Sequence, residues 1–173
     1  RVAVGGVYLD PEKNTELDLS AYWGGEKITA ELSFFYSRID DFILTYNGVA
    51  SYNVLAERVG AEAGVAWRIV PDLLASAELA FVHADNLTQG VPLAQTPPLE
   101  GTLALRWERD AFALGFAARL VNRPDRIHPD HGNRLGVDTT PSPGVAVLSV
   151  SYTHPRAHQT EADLAFRLLP LKK

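Results

Sequence analysis

Asn14-Thr15-Glu16-Leu17-Asp18-Leu19-Ser20-Ala21-Tyr22-Trp23 runs into Gly24-Gly25-Glu26-Lys27 and returns as Ile28-Thr29-Ala30-Glu31-Leu32-Ser33-Phe34-Phe35-Tyr36. Thr15, Leu17, Leu19, Ala21 and Trp23 fall on every second position, and Asn14, Glu16, Asp18, Ser20 and Tyr22 fill the gaps. A period of two is the signature of a strand with unlike faces. The short glycine-bearing link predicts a hairpin whose glycines take positive φ. Ile28, Ala30, Leu32, Phe34 and Tyr36 carry the apolar phase onward, so the hairpin has one wholly apolar face.

The same beat recurs downstream. In residues 53–69, Val59, Ala61, Ala63, Val65 and Trp67 oppose Arg58, Gly60, Glu62, Gly64 and Arg68. After the tight turn Pro71-Asp72 come Ala75, Ala77, Leu79 and Phe81. Leu99, Gly101, Leu103, Leu105 and Trp107 lead to a turn at Arg109-Asp110, then to Phe112, Leu114, Phe116, Ala118 and Leu120. The last runs are 146–152 and 162–168, joined around 155–159. This makes about eight strands, whose links are alternately short and long. The long ones fall near residues 47–52, 84–98 and 122–143. Apolar positions never recur at every third and fourth residue, which excludes an amphipathic helix.

Periodicity alone does not say what the apolar face meets. Its core carries no charge, whereas the opposite phase mixes small residues with Glu, Asp and Arg. Trp23, Trp67, Trp107 and Tyr152 each close a run on the apolar phase just before a polar link, as aromatics do at a membrane–water boundary. Phe34, Tyr36, Phe42, Tyr46 and Phe81 lie nearer the long loops and are expected at the opposite rim. Short turns at one end and long loops at the other belong to outer-membrane barrels. The expectation is an all-β fold: a partial antiparallel transmembrane β-barrel of about eight strands, one segment over residues 1–173. Glu16, Asp18, Glu31, Glu62, Glu78, Glu100, Arg58, Arg68, Arg106 and Arg119 would line its lumen. Two other readings stay open. One is a self-contained eight-stranded outer-membrane barrel acting as an anchor or adhesin. The other is a soluble ligand-binding β-barrel with the apolar face turned inward.

Composition narrows the classes. The 173 residues include no cysteine, which removes disulfides and thiolate metal sites. A net charge of -5 argues against a general nucleic-acid binder. No nucleophile elbow, zinc-protease helix, phosphate loop or dinucleotide fingerprint occurs, so no enzyme or cofactor is expected. The chain opens on Arg1 and contains no methionine, which reads as a fragment or a processed piece.

Several motifs resemble TonB-dependent outer-membrane receptors. Asp10-Pro11-Glu12-Lys13-Asn14-Thr15-Glu16-Leu17-Asp18 is similar to the family's Pro-Glu-Lys signature, which opens a late strand. Phe35-Tyr36-Ser37-Arg38-Ile39-Asp40-Asp41-Phe42-Ile43 is similar to its F-Y-x-x-I-x-D-F-I. Ala61-Glu62-Ala63-Gly64-Val65 and Gln95-Thr96-Pro97-Pro98-Leu99 resemble two further family segments. Ile39 to Leu44, Gln95 to Glu100, Arg126-Ile127 and Gly132-Asn133 resemble the copper-receptor branch. The resemblance implies a transporter in the bacterial outer membrane that takes up a scarce ligand, copper or a metal chelate. It implies outer-membrane lipid as surroundings, and TonB energy coupling through a plug domain not in this chain. Such barrels have about 22 strands, so eight would be one part of the wall. The chain departs from the family at its end. Leu164-Ala165-Phe166-Arg167-Leu168-Leu169-Pro170 replaces the usual aromatic-terminated strand.

His128-Pro129-Asp130-His131 is the one close histidine pair with a carboxylate, and it falls in the longest loop. Imidazole suits copper or zinc and a carboxylate adds oxygen, so His128, Asp130 and His131 are candidate metal ligands. A solvated loop is the plainer reading of the same residues. Asn86-Leu87-Thr88 matches a glycosylation acceptor, which carries little weight in a bacterial envelope.

Overall fold

The computed structural model describes residues 2–4, 7–46, 50–93, 95–110, 112–128, 141–153 and 164–167. Among them the regular elements are all strands: β1 (Val2–Val4), β2 (Val7–Leu9), β3 (Lys13–Gly24), β4 (Ile28–Tyr46), β5 (Ala50–Val70), β6 (Leu73–Asn86), β7 (Val91–Pro92), β8 (Glu100–Arg109), β9 (Phe112–Val121), β10 (Val145–Thr153) and β11 (Leu164–Arg167). Eight strands form one antiparallel sheet in the order β11-β10-β9-β8-β6-β5-β4-β3, and the two-residue β7 pairs with the far end of β6. β1 and β2 make a separate small hairpin. The sheet is a meander, the arrangement that tight turns between successive strands produce.

Register keeps the two faces apart across the whole sheet. One row runs Leu19, Phe34, Ala61, Phe81, and the next runs Ala21, Leu32, Ala63, Leu79, Gly101, Leu120, Ala146. Interleaved with them, Ser20, Ser33, Glu62, Ala80 and Glu100 make a row on the other face. Among the described residues the apolar face stays exposed: Leu17, Leu19, Leu32, Leu103 and Tyr152 each keep more than half of their surface.

The three tryptophans do not share one hydrogen-bonded row. Trp23 lies in the row of Ala30, Val65, Ala77 and Leu103. Trp67, paired with Ile28 and Ala75, lies two residues nearer the short turns. Trp107, paired with Leu73, lies two residues nearer still, in a row with Leu114 and Tyr152. A belt that is oblique to the hydrogen bonds becomes level once strands tilt, as barrel strands do by about 35–45°.

β3 pairs only with β4, and β11 only with β10. Among the described residues the sheet therefore does not close on itself. A closed eight-stranded barrel needs those two strands to pair, and a soluble barrel needs the apolar face inside. The observed sheet has neither feature.

Four local expectations change. The long link expected near residues 47–52 gives way to strand from Ala50 onward, so β4 and β5 are separated by residues 47–49 alone. Neither Gly24 nor Gly25 adopts a left-handed φ. Gly25 instead makes room for an aromatic, because a Cβ there would stand 2.9 Å from Cη2 of Trp23. The residues at 84–86 belong to β6 rather than to a loop, and the chain turns at once into β7. Phe42 is not at a rim. It packs against a small core of Ile39, Leu44, Val54, Ala56, Ala84 and Leu93, with Tyr52 beside it. That core lies at the far end of β4, β5 and β6, beyond the apolar belt. The two longest strands project there and enclose their own apolar residues.

Candidate functional site

The polar face gathers most of the charged residues of the sheet. All ten residues expected on the lumen fall on it, most of them in register with small or polar partners, while Asp18 faces Phe35 and both Arg68 and Arg106 face Leu74. Tyr22, Glu31, Gly64, Glu78, Thr102 and Arg119 form one row, and Glu62 and Glu100 lie in the adjacent row. Glycine opposite a carboxylate leaves space for it: a Cβ on Gly64 would stand 2.8 Å from Glu31 Oε1. The result is a concavity of about 630 Å³ over β3 to β8, lined by Glu31, Glu62, Glu78 and Glu100 among mostly small residues, with Tyr22 at one side. Glu100 accepts two hydrogen bonds from the Arg119 guanidinium, at 2.5 and 2.7 Å. Arg106 pairs with Glu108 nearer the short turns. No ion pair to Glu31, Glu62 or Glu78 occurs among the described residues. Three carboxylates with one sign of charge attract cations, or the cationic side chains of whatever fills the lumen.

Farther out on the same face, the Phe35 ring lies over Gly60, where a Cβ would collide with it. The Arg58 guanidinium stands 5.9 Å from the centre of that ring, within range of a cation–π contact. Ser37 is fully buried and donates to Asn14 Oδ1 at 2.6 Å.

The apolar face changes character toward the far ends of β4, β5 and β6. Above Phe34 and Phe81 the same phase carries Tyr36, Arg38, Glu57, His83 and Asp85. The Tyr36 hydroxyl donates to Glu57 at 2.8 Å. Asp85 accepts from Arg126 and stands 3.1 Å from Nε2 of His83, which ties the segment after β9 to β6. These polar residues continue the period-two beat past Phe81.

The two stretches with the most specific motif resemblance touch in space. The Ile43 amide donates to Glu12 Oε1 at 2.7 Å. Asn53 donates to the carbonyls of Asp41 (2.6 Å) and Asp10 (2.9 Å) and accepts from the Asp10 amide at 2.9 Å. Lys13 Nζ is 3.8 Å from Asp41. Sequence reasoning did not single out Asn53, because nothing in its neighbourhood distinguishes it from other strand residues.

The remaining candidates are placed unevenly. Trp23, Trp67, Trp107 and Tyr152 all lie exposed on the apolar face toward the short turns. His128 is half-buried in the segment after β9, while Asp130 and His131 lie outside the described residues. Among the described residues no group of three or more His, Cys, Asp or Glu could hold a metal. Asn86 is buried and donates to Gln89, and Thr88 Oγ1 accepts from the Leu55 amide, so the acceptor-like triplet shapes the turn into β7.

A sequence profile described as "TonB dependent receptor-like, beta-barrel" matches residues 2–167. No curated protein matches the chain's sequence. Among solved structures, the chain resembles a copper transporter, OprC, with 32% identity and a TM-score of 0.79 over 84% of this chain and 23% of that one. It also shares its fold with the FrpB iron transporter of Neisseria meningitidis (15% identity, TM-score 0.63, 83% of this chain and 24% of that one). The ferric-catecholate import receptor Fiu of E. coli K12 is similar in the same way (17% identity, TM-score 0.60, 83% of this chain and 21% of that one). The chain thus spans under a quarter of the length of each.

Proposed function

Because this chain belongs to the TonB-dependent receptor β-barrel family, whose members sit in the bacterial outer membrane, we propose that it builds part of the wall and outer rim of a receptor for copper or a copper chelate. The observation that carries the choice of ligand is the 32% identity to a copper transporter over most of this chain. The two iron-transporter likenesses, at 15% and 17%, speak for the fold alone. The family relation points to a wall for transport, not to an enzyme.

In this reading the apolar face meets outer-membrane lipid. From Ile28 to Tyr36, β4 spans roughly 26 Å along the strand at about 3.3 Å per residue, the scale of a barrel's apolar band. Trp23, Trp67, Trp107 and Tyr152 hold the boundary at the short-turn side. The acidic patch of Glu31, Glu62 and Glu78 faces a plug supplied outside this chain. Through that plug the receptor engages the TonB energy-coupling complex. His128, Asp130 and His131 are the proposed first contacts for the metal at the outer rim.

The test is uptake by the complete receptor in cells lacking other copper entry routes. Energy-dependent accumulation of radioactive copper, reduced severalfold by the double variant His128→Ala/His131→Ala, is the expected result. Uptake of ferric chelates with no copper accumulation would replace copper by iron and leave the receptor reading standing. Undiminished copper uptake in the double variant would remove the histidines from the pathway.

A further inference from the structure

The projecting end of β4 and β5 stands outside the apolar belt, where two strands alone are marginal in water. The ladder between β4 and β5 is broken between Ile39 and Phe42. Asp41, inside that break, has φ 60°, a left-handed conformation uncommon for a residue with a side chain. A break of this kind swivels a hairpin unless something holds it. β3 cannot, because its pairing with β4 ends at Lys13 and Asp40.

We propose that residues 9–13 are a strap that holds this bulge, with Asn53 as its positioning residue, so that β2 and the projecting β4–β5 hairpin move as one body. Each part of the strap replaces something the sheet lacks. Glu12 Oε1 accepts from the Ile43 amide beyond Lys13, the first residue of β3, where the carbonyl of a longer neighbouring strand would sit. The Asn53 amide group joins the two chains directly. It donates to Asp41 O at the bulge and to Asp10 O in the strap, and accepts from Asp10 N. Leu9 anchors the strap at its start, with 2% of its surface exposed. Three of the four bonds converge on one side chain, so Asn53 cannot be replaced by a residue that only donates or only accepts. The outer rim formed by these strands is thereby a fixed wall, and ligand capture at that side does not begin with movement of the β4–β5 hairpin.

Pulsed electron paramagnetic resonance on the complete receptor in liposomes tests this, with nitroxide labels at the exposed positions Tyr8 and Ala50. The unsubstituted strap should give one narrow distance distribution. Asn53→Ala should at least double its width, and Glu12→Ala should broaden it less. Glu12→Gln, which keeps an acceptor oxygen, should restore the narrow distribution, and Lys13→Ala should leave it narrow. Should Asn53→Ala fail to fold, as judged by heat-shifted mobility on gels, the three substitutions at exposed Glu12 and Lys13 decide the matter. An unchanged width in Glu12→Ala and in any folded Asn53→Ala overturns the strap. So does equal broadening in Lys13→Ala, which would mean general loosening.

Discussion

Leu32 and Leu44 lie on one strand and have opposite fates. Leu32, in the belt, keeps 55% of its surface, whereas Leu44, in the projecting end, keeps 3%. The same side chain, with the same aversion to water, is left bare in one region and enclosed in the other. In the proposed receptor, hydrocarbon serves as the apolar environment along the belt, so the chain builds no core behind its leucines. Past the rim there is only water, so β4, β5 and β6 gather Ile39, Leu44, Val54, Ala56, Ala84 and Leu93 into a core of their own. Burial is a relation between a residue and its solvent, and the proposed receptor gives this chain two solvents.

Substitutions can break that contrast in order of expected effect. Leu44→Ala should cost about 3–5 kcal/mol, since a packed site loses both transfer energy and the contacts around the cavity. The loss should be read locally, as faster amide exchange at Val54 and Ala84. Leu32→Arg should cost about 2–4 kcal/mol in vesicles, the range for a cation near a bilayer midplane. Equilibrium unfolding of the complete receptor in liposomes would report it, and a neutral outcome would mean that this face does not meet lipid. Leu32→Ala should cost only about 2 kcal/mol, because lipid refills the space and only the transfer term is lost at ~0.8 kcal/mol per methylene. A cost equal to that of Leu44→Ala would show that the outer core collapses around its cavity and is loosely packed. The smallest effect belongs to Lys13→Ala. Its partner is 3.8 Å away and its side chain is 72% exposed, so the change should stay below about 1 kcal/mol and weaken with salt.

Much of the belt was legible in the sequence. Alternation from Leu17 to Trp23 and from Phe112 to Leu120 states which residues share a face, because side chains on a strand point to opposite sides in turn. The ten charged residues assigned to the lumen follow by the same rule. The outer region was less legible. Phe42 carries the same apolar label as Phe34, yet a two-residue break in the ladder turns it from a rim position to the core. Asn53 and Glu12 gain their roles from chains 43 and 31 positions distant, at Asp10 and Ile43. Gly25 was read as a turn glycine with positive φ and instead yields space to an indole. A sequence names the small residue, and the neighbour that needs the space is known only when the ring is in place.

The sequence by itself determined most of the strands and their two faces, because these depend on a period of two and on turn chemistry within a few residues; it overstated the link between β4 and β5, where strand resumes at Ala50. Tertiary structure alone decided that the tryptophan belt runs oblique to the ladder, and that the outer hairpin encloses a core under a strap. Those features depend on register, on a bulge and on bonds between distant segments. None of them leaves a periodic trace, since each is fixed by where two stretches of chain meet rather than by what either contains.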